Sequence, residues 1–422
     1  MRKHKIILWL CAFFVAFFTF AMESVQASGT YRLAKVLVLS RHNLRTPTSN
    51  GSKVLASLTP HAWTEWTGAP GELSMKGGQL ETIMGQYFRQ WLEGEGLIAA
   101  NTVPVAGEMR FYANSFQRTV ATAHYFSAGM LPMANVEVER HFALNEPDPV
   151  FLPPASASFS DEFRARAMRE VEAMGGVHEF SKRMETNTRL IADVLDFKDS
   201  QYARENGLTT FPAQDMKFDF DTLRLTASLI LAGRASDALS LQYYEAEEKD
   251  TVKAAFGHEL TFAQWRDISK VKDMGISAYY CLPTMAKPIA APLLSVMRDE
   301  LLEDGRSFTF LCGHDTNFAT VFPSLGIEEY TLPDTIEEKA PIGAKFVVEK
   351  RLGEDGQAYV SLKLIYQSAK QMQNREPLSP ANPPVIVPLK LQGLQANEDG
   401  LYRFDEVIGR FAEIIAEVEA AA

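Results

Sequence analysis

The sequence predicts an α/β protein: a mainly parallel sheet flanked by helices, with an all-α domain inserted into it. Three observations carry this. Apolar runs of strand length, each ending in a polar turn before a helix, stand near both ends of the chain. A stretch rich in proline, "NEPDPVFLPP", breaks the pattern near residue 150. Beyond it, up to about Leu282, the periodicity is helical.

The elements follow in order. "MRKHK" is a positive n-region, and Ile6 to Met22 is an uninterrupted apolar run. With Val25 and Ala27 at the small-residue positions, this reads as a signal peptide over residues 1–27. It implies export, with the periplasm as the expected destination and no stable membrane association after cleavage. "LAKVLVLS" suits a strand covered on both faces. "SMKGGQLETIMGQYFRQWL" has helical spacing, "MRFYANS" is a strand, and "FQRTVATAHYFSAGML" is the helix behind it. "NVEVERH" is expected as a further strand. Four helical segments come next, beginning "SDEFRARAMREVEAMGG", with no strand among them. "SFTFLCGHD" repeats the opening design, and "AKFVVEK" and "AYVSLKLIYQ" pair as a hairpin. The last helix carries Phe404, Val407, Ile408, Phe411, Ile415 and Val418 on one stripe. The expected domains are 28–150 with 283–422, both α/β, and 151–282, helical.

At 46% hydrophobic and 23% charged, the chain has enough apolar material for such a core. Its formal net charge of −11 argues against a nucleic-acid partner. Any anion it binds must meet a local basic cluster. The mature chain keeps only Cys281 and Cys312, too few for a disulfide framework, and whether they pair is open. Asn50-Gly51-Ser52 reads as a turn before it reads as a glycan site. Oligomeric state leaves no mark in the sequence.

Three basic turns share one design. "LSRHNLRTP" places Arg41, His42 and Arg45 after a strand, "YANSFQRTV" places Arg118, and "LCGHDTN" places His314 and Asp315. In open α/β sheets the crevice lies beyond the carboxyl ends of the strands, so all three turns can converge there. Each basic residue alone would pass as structural or solvated. Together, three guanidiniums match phosphoryl oxygens in bidentate fashion. A neutral imidazole among them can attack phosphorus, and a carboxylate beside it can give and take a proton. No metal or other cofactor is required, since arginines supply the charge. No GxxxxGK[ST], GxSxG or HExxH motif is present.

"RHNLRTP" with a late "GHD" resembles the histidine acid phosphatase branch of the histidine phosphatase superfamily, which carries RHGxRxP and HD. "LSMKGG", "ANSFQRTVATA", "DPVF" and "APIGAKFVVE" extend the likeness over most of the chain. The resemblance implies a histidine phosphatase-like fold with an α domain over the site. It implies His42 as nucleophile, Asp315 as proton donor, and Arg41, Arg45, Arg118 and His314 as phosphate-holding groups. Glu245 of "QYYE" would line the substrate pocket. Asn43 stands where the family has Gly; it is expected to tolerate a left-handed turn and to intrude where a bulky polyphosphate enters. The expected activity is acidic hydrolysis of a small-molecule phosphate monoester through a phosphohistidine. A sugar phosphate such as glucose 1-phosphate is favoured over phytate. A non-catalytic phosphoester-binding protein is the rival from another class.

Overall fold

The computed structural model describes residues 31–48, 54–153, 160–212, 218–219, 224–225 and 227–421. The expected signal peptide, the Asn50-Gly51-Ser52 sequon and Pro154 lie outside them. The centre is a seven-stranded sheet in the order β2-β5-β1-β6-β7-β8, with β9 also on β7. Its strands are β1 (Tyr31–Arg41), β2 (Met109–Ala113), β5 (Phe308–Gly313), β6 (Lys345–Gly353), β7 (Ala358–Tyr366), β8 (Val385–Pro388) and β9 (Tyr402–Arg403). β1 and β2 both pair in parallel with β5. From β1 outward through β6 and β7 the pairing is antiparallel.

The continuous apolar run of β1 has a direct cause. Successive side chains point to opposite faces. Val36 and Val38 enter one core with Phe308, Phe310 and Cys312, while Leu37 and Leu39 enter another with Leu311 and Phe346. The first core is closed by α1 (Met75–Gly94) and α2 (Gln117–Met130) through Met84, Phe88 and Phe126. Phe126 stacks on Phe310 with ring centroids 4.3 Å apart. These helices touch backbone to backbone: a Cβ on Gly85 would lie 2.1 Å from the Phe126 carbonyl oxygen, so only glycine allows the approach. That contact sets the position of α2, whose first turn carries Arg118.

Between α2 and β5 in sequence lie α3 (Asp161–Ala173), α4 (Gly176–Val194), α5 (Ala227–Glu245) and α6 (Phe262–Tyr280). α4, α5 and α6 enclose a core that includes Ile191, Leu239, Tyr244, Trp265 and Ile268. The second face of the sheet is covered by α7 (Pro283–Leu302), α8 (Asp315–Leu325) and α9 (Phe404–Ala421). Cys281 and Cys312 are not joined to one another by a disulfide. Among the described residues no helix is long and apolar enough to cross a membrane.

Two local expectations are corrected. "NVEVERH" forms no strand; it meets β2 in one isolated bridge between Tyr112 and Glu139. Only Val138 of that stretch is buried, too little apolar surface to hold a ladder. The helical stretch does contain strand: β3 (Phe218–Asp219) and β4 (Arg224–Leu225) form a short antiparallel ribbon. Two residues per strand leave no period to read.

Candidate active site

The parallel pairing brings the three basic turns together. Register aligns Ser40 with Cys312 and Ala113 with Cys312, so β1, β5 and β2 end side by side. The backbone N–H of His42 donates to the Gly313 carbonyl at 3.0 Å, and that of Asn114 to the Cys312 carbonyl at 2.9 Å. The rings of His42 and His314 meet edge to face, 5.4 Å between centroids.

Hydrogen bonding assigns both imidazole tautomers. His42 Nδ1 lies 2.8 Å from the Asn43 carbonyl oxygen. A carbonyl only accepts, so Nδ1 carries the proton and Nε2 holds a free lone pair. Burial, then Arg118, His314, Arg45 and Arg41, hold the His42 pKa well below the ordinary imidazole value, which keeps the ring neutral. For His314 the assignment runs through Asn114. Its Oδ1 accepts from the Asp148 backbone N–H at 2.9 Å, which turns Nδ2 to donate to His314 Nε2 at 2.8 Å. His314 Nδ1 is then the N–H, and it stands 3.5 Å from Arg118 Nη2. Two donors facing one another are suited to an acceptor between them, as an anionic oxygen would be.

The arginines are held and in part unspent. Arg41 is buried, donates through Nη1 to the Ala340 carbonyl, and pairs with Asp315 at 3.1 Å. Arg118 lies over the Phe116 ring, and burial followed by Arg45 lowers its pKa to about 10. The Nε atoms of Arg41 and Arg118 are buried without a hydrogen-bond partner among the described residues. Arg45 spans to the helical segment, donating through Nη2 to both oxygens of Asp237 at 2.9 and 3.2 Å.

Two residues here had no assignment from sequence. Asp237 of α5 and Lys272 of α6 complete an alternating chain from Arg45 to Arg41. Lys272 Nζ lies 3.4 Å from Asp237 and 2.9 Å from Asp315 Oδ2. Burial alone would raise the Asp315 pKa, but Lys272 and Arg41 outweigh it and hold the carboxylate well below the usual range. Asp315 is therefore ionised in the resting site. The available signal was a lone acidic residue within a run that is otherwise buried: Ala235, Ser236, Ala238 and Leu239 around Asp237 are all buried.

Asn43 is not where the sequence reading puts it. Asn43 is buried and absent from the residues with positive φ, so the turn needs no left-handed residue. Its side chain points into the protein and donates to Glu81 Oε1 at 2.6 Å, which removes it from any substrate entrance. Glu245 accepts from Ser74 Oγ at 3.1 Å at the start of α1, drawn there by the cap and by Lys76, whose Nζ donates to the Glu245 carbonyl. Among the described residues no group of three or more His, Cys, Asp or Glu could hold a metal ion.

Asp273, the neighbour of Lys272, is buried and accepts the Glu338 backbone N–H at 2.8 Å. Burial pushes its carboxyl up to about 6 despite Lys272 beside it. A raised folded-state pKa stabilises the fold fully below the unfolded value near 4, and that contribution is lost as pH rises through about 6. The loss amounts to about 3 kcal/mol over that window. Thermal unfolding from pH 4 to 7 should show the decline, and Asp273→Asn should flatten it. An unchanged slope in the variant would contradict the assignment.

A neutral imidazole with one free nitrogen, ringed by arginines and flanked by a carboxylate, is a site for nucleophilic attack on a tetrahedral oxyanion. On this fold it defines a phosphate-ester hydrolase. The chain belongs to the histidine phosphatase superfamily (branch 2), whose model matches residues 32–366, and it is a phosphoric monoester hydrolase. It is 34% identical over 407 residues to the glucose-1-phosphatase of Salmonella typhimurium, covering 93% of this chain and 96% of that protein. It is 31% identical over 416 residues to the glucose-1-phosphatase of Providencia rettgeri, covering 96% and 97%. Its fold matches the apo form of Hafnia alvei phytase with a TM-score of 0.82 at 24% identity, covering 93% of this chain and 98% of that one.

Proposed function

We propose that this protein is an exported acid phosphatase that removes phosphate from a sugar phosphate such as glucose 1-phosphate, through a phosphohistidine at His42. Residues 28–150 and 283–422 form its α/β domain, and 151–282 the helical domain that supplies Asp237 and Lys272. The observation that carries the mechanism is the His42 tautomer: the proton is on Nδ1, and the Nε2 lone pair is free among three arginines.

Arg41, Arg45, Arg118 and the His314 Nδ1–H bind the phosphoryl oxygens. His42 Nε2 attacks phosphorus, the ester P–O bond breaks, and the leaving oxygen takes a proton from Asp315. Water then attacks the phosphohistidine while the Asp315 carboxylate accepts its proton. The P–N bond breaks, and His42 is restored.

Asp315 is ionised at rest, so its proton must arrive with the substrate. A phosphate monoester has a second pKa of about 6, and its monoanion brings one proton into the cage. Bound negative charge also raises the Asp315 pKa and favours transfer. Turnover at limiting substrate should therefore fall as pH rises above about 6, following the substrate and not the free carboxylate.

The two glucose-1-phosphatase relatives support the sugar-phosphate reading. So does Asp237, a carboxylate on Arg45 that would repel a second phosphate of a polyphosphorylated ring. The test is kcat/KM on glucose 1-phosphate and phytate at pH 5, with excess chelator. Glucose 1-phosphate should be preferred at least about tenfold, worth ~1.4 kcal/mol of transition-state binding, with no loss to the chelator. The reverse preference would make the enzyme a phytase.

A further inference from the structure

Beneath His42 lies a buried ion pair that takes no part in holding phosphate. Glu81 of α1 and Lys345 of β6 are both fully enclosed, 2.8 Å apart. Removing two charges from water costs several kcal/mol each, and such pairs often contribute no more stability than an apolar pair of the same size. Glu81 Oε2 is in addition buried without a hydrogen-bond partner among the described residues. The pair calls for a use other than stability.

Its contacts supply one. Glu81 Oε1 accepts from Asn43 Nδ2 at 2.6 Å, and Lys345 donates to the Gly343 carbonyl at 2.7 Å. Asn43 and Gly343 both hold His42. The Gly343 N–H donates to the His42 carbonyl at 3.2 Å, and the Asn43 carbonyl accepts the His42 Nδ1 proton at 2.8 Å. Asn43 is fixed further by its own N–H on Thr122 Oγ1 and by the Leu44 N–H on its Oδ1. Gly343 has φ +73°, and a Cβ there would fall 2.5 Å from Asn43 Nδ2, so the circuit closes only around glycine.

We propose that Glu81, with Lys345 as its counterion, is a positioning residue: through Asn43 it holds the carbonyl that keeps the His42 proton on Nδ1. A glycine at position 43 could offer the same carbonyl but no side chain to anchor it. Loss of the tether lets that peptide rotate, Nε2 becomes protonated in part of the population, and that part cannot attack phosphorus.

This inference rests on His42 as the nucleophile. The test compares two double variants, each free of a lone buried charge. Glu81→Leu with Lys345→Met removes the acceptor for Asn43, whereas Glu81→Gln with Lys345→Met retains one. The first should lose kcat on p-nitrophenyl phosphate by up to about 100-fold at nearly constant KM. The second should stay within a few-fold of the parent. The 15N signals of His42 in the substrate-free enzyme should show the Nδ1–H form diminished only in the first. Equal kcat in both, or an unaltered tautomer in the first, would overturn the proposal. Asn43→Ala cuts the same tether from the other side with the ion pair intact. If the first double variant does not fold, this single variant must show the same kcat loss and tautomer change, or the proposal fails. The NMR readout needs no turnover, so its failure is distinct from an active His42→Ala enzyme, which would remove the nucleophile itself.

Discussion

His42→Ala should reduce kcat on p-nitrophenyl phosphate by about 10⁴-fold or more, the scale seen when a catalytic nucleophile is removed. The ring's other contacts make this a clean test. Its Nδ1 donates to a carbonyl in the same turn, and the backbone N–H that joins the turn to Gly313 survives the substitution. The arginine cage remains, so inorganic phosphate should still bind with an affinity near that of the parent. Rapid quenching in alkaline denaturant with labelled substrate should trap phosphate on the parent and none on the variant. A fully active variant would end the nucleophilic mechanism. A parent that binds phosphoesters without turnover would instead be the non-catalytic binding protein.

Asp315→Asn should produce the second largest loss, about 10²- to 10⁴-fold on an alkyl phosphate such as glucose 1-phosphate. Asparagine matches the shape of the carboxylate but can neither deliver a proton to the leaving oxygen nor accept one from water. The loss should be smaller on p-nitrophenyl phosphate, whose phenolate departs without protonation. There the first step outruns the second, so a burst of nitrophenol and an accumulated phosphohistidine are expected. Binding should move the other way. Asp315 is the partner of Arg41 and Lys272. Removing its charge frees two cations, so inorganic phosphate should inhibit the variant more strongly than the parent. Equal losses on the two substrates with no burst would show that Asp315 has another role.

"GHD" after an apolar strand placed a carboxylate beside a histidine at a strand end, and the structure does the same. From the motif alone an acidic optimum follows, because a carboxyl there must be protonated to act as an acid. The structure changes the reason, because Lys272 comes from a helix remote in sequence and keeps the group ionised. Asn43 is the converse case. Its identity suggested a left-handed turn and a side chain at the entrance, but side-chain direction depends on what lies beneath, and Glu81 and Lys345 lie beneath. On the helix whose motif names Glu245 for the substrate pocket, Asp237, two turns earlier, meets the cage and carries no motif of its own.

By itself the sequence determined what depends on local order. The continuous apolar run of β1, the helical stripes, and the residue types in the three basic turns are properties of neighbouring positions, and they name the chemistry. Only the tertiary structure decided which charges meet. Register between parallel strands set His42 beside His314, and the helical segment brought Asp237 and Lys272 onto the cage. Ionisation and tautomer follow from those meetings, because Coulomb attraction, burial and hydrogen bonding act through space over a few ångströms, however far apart the residues lie along the chain.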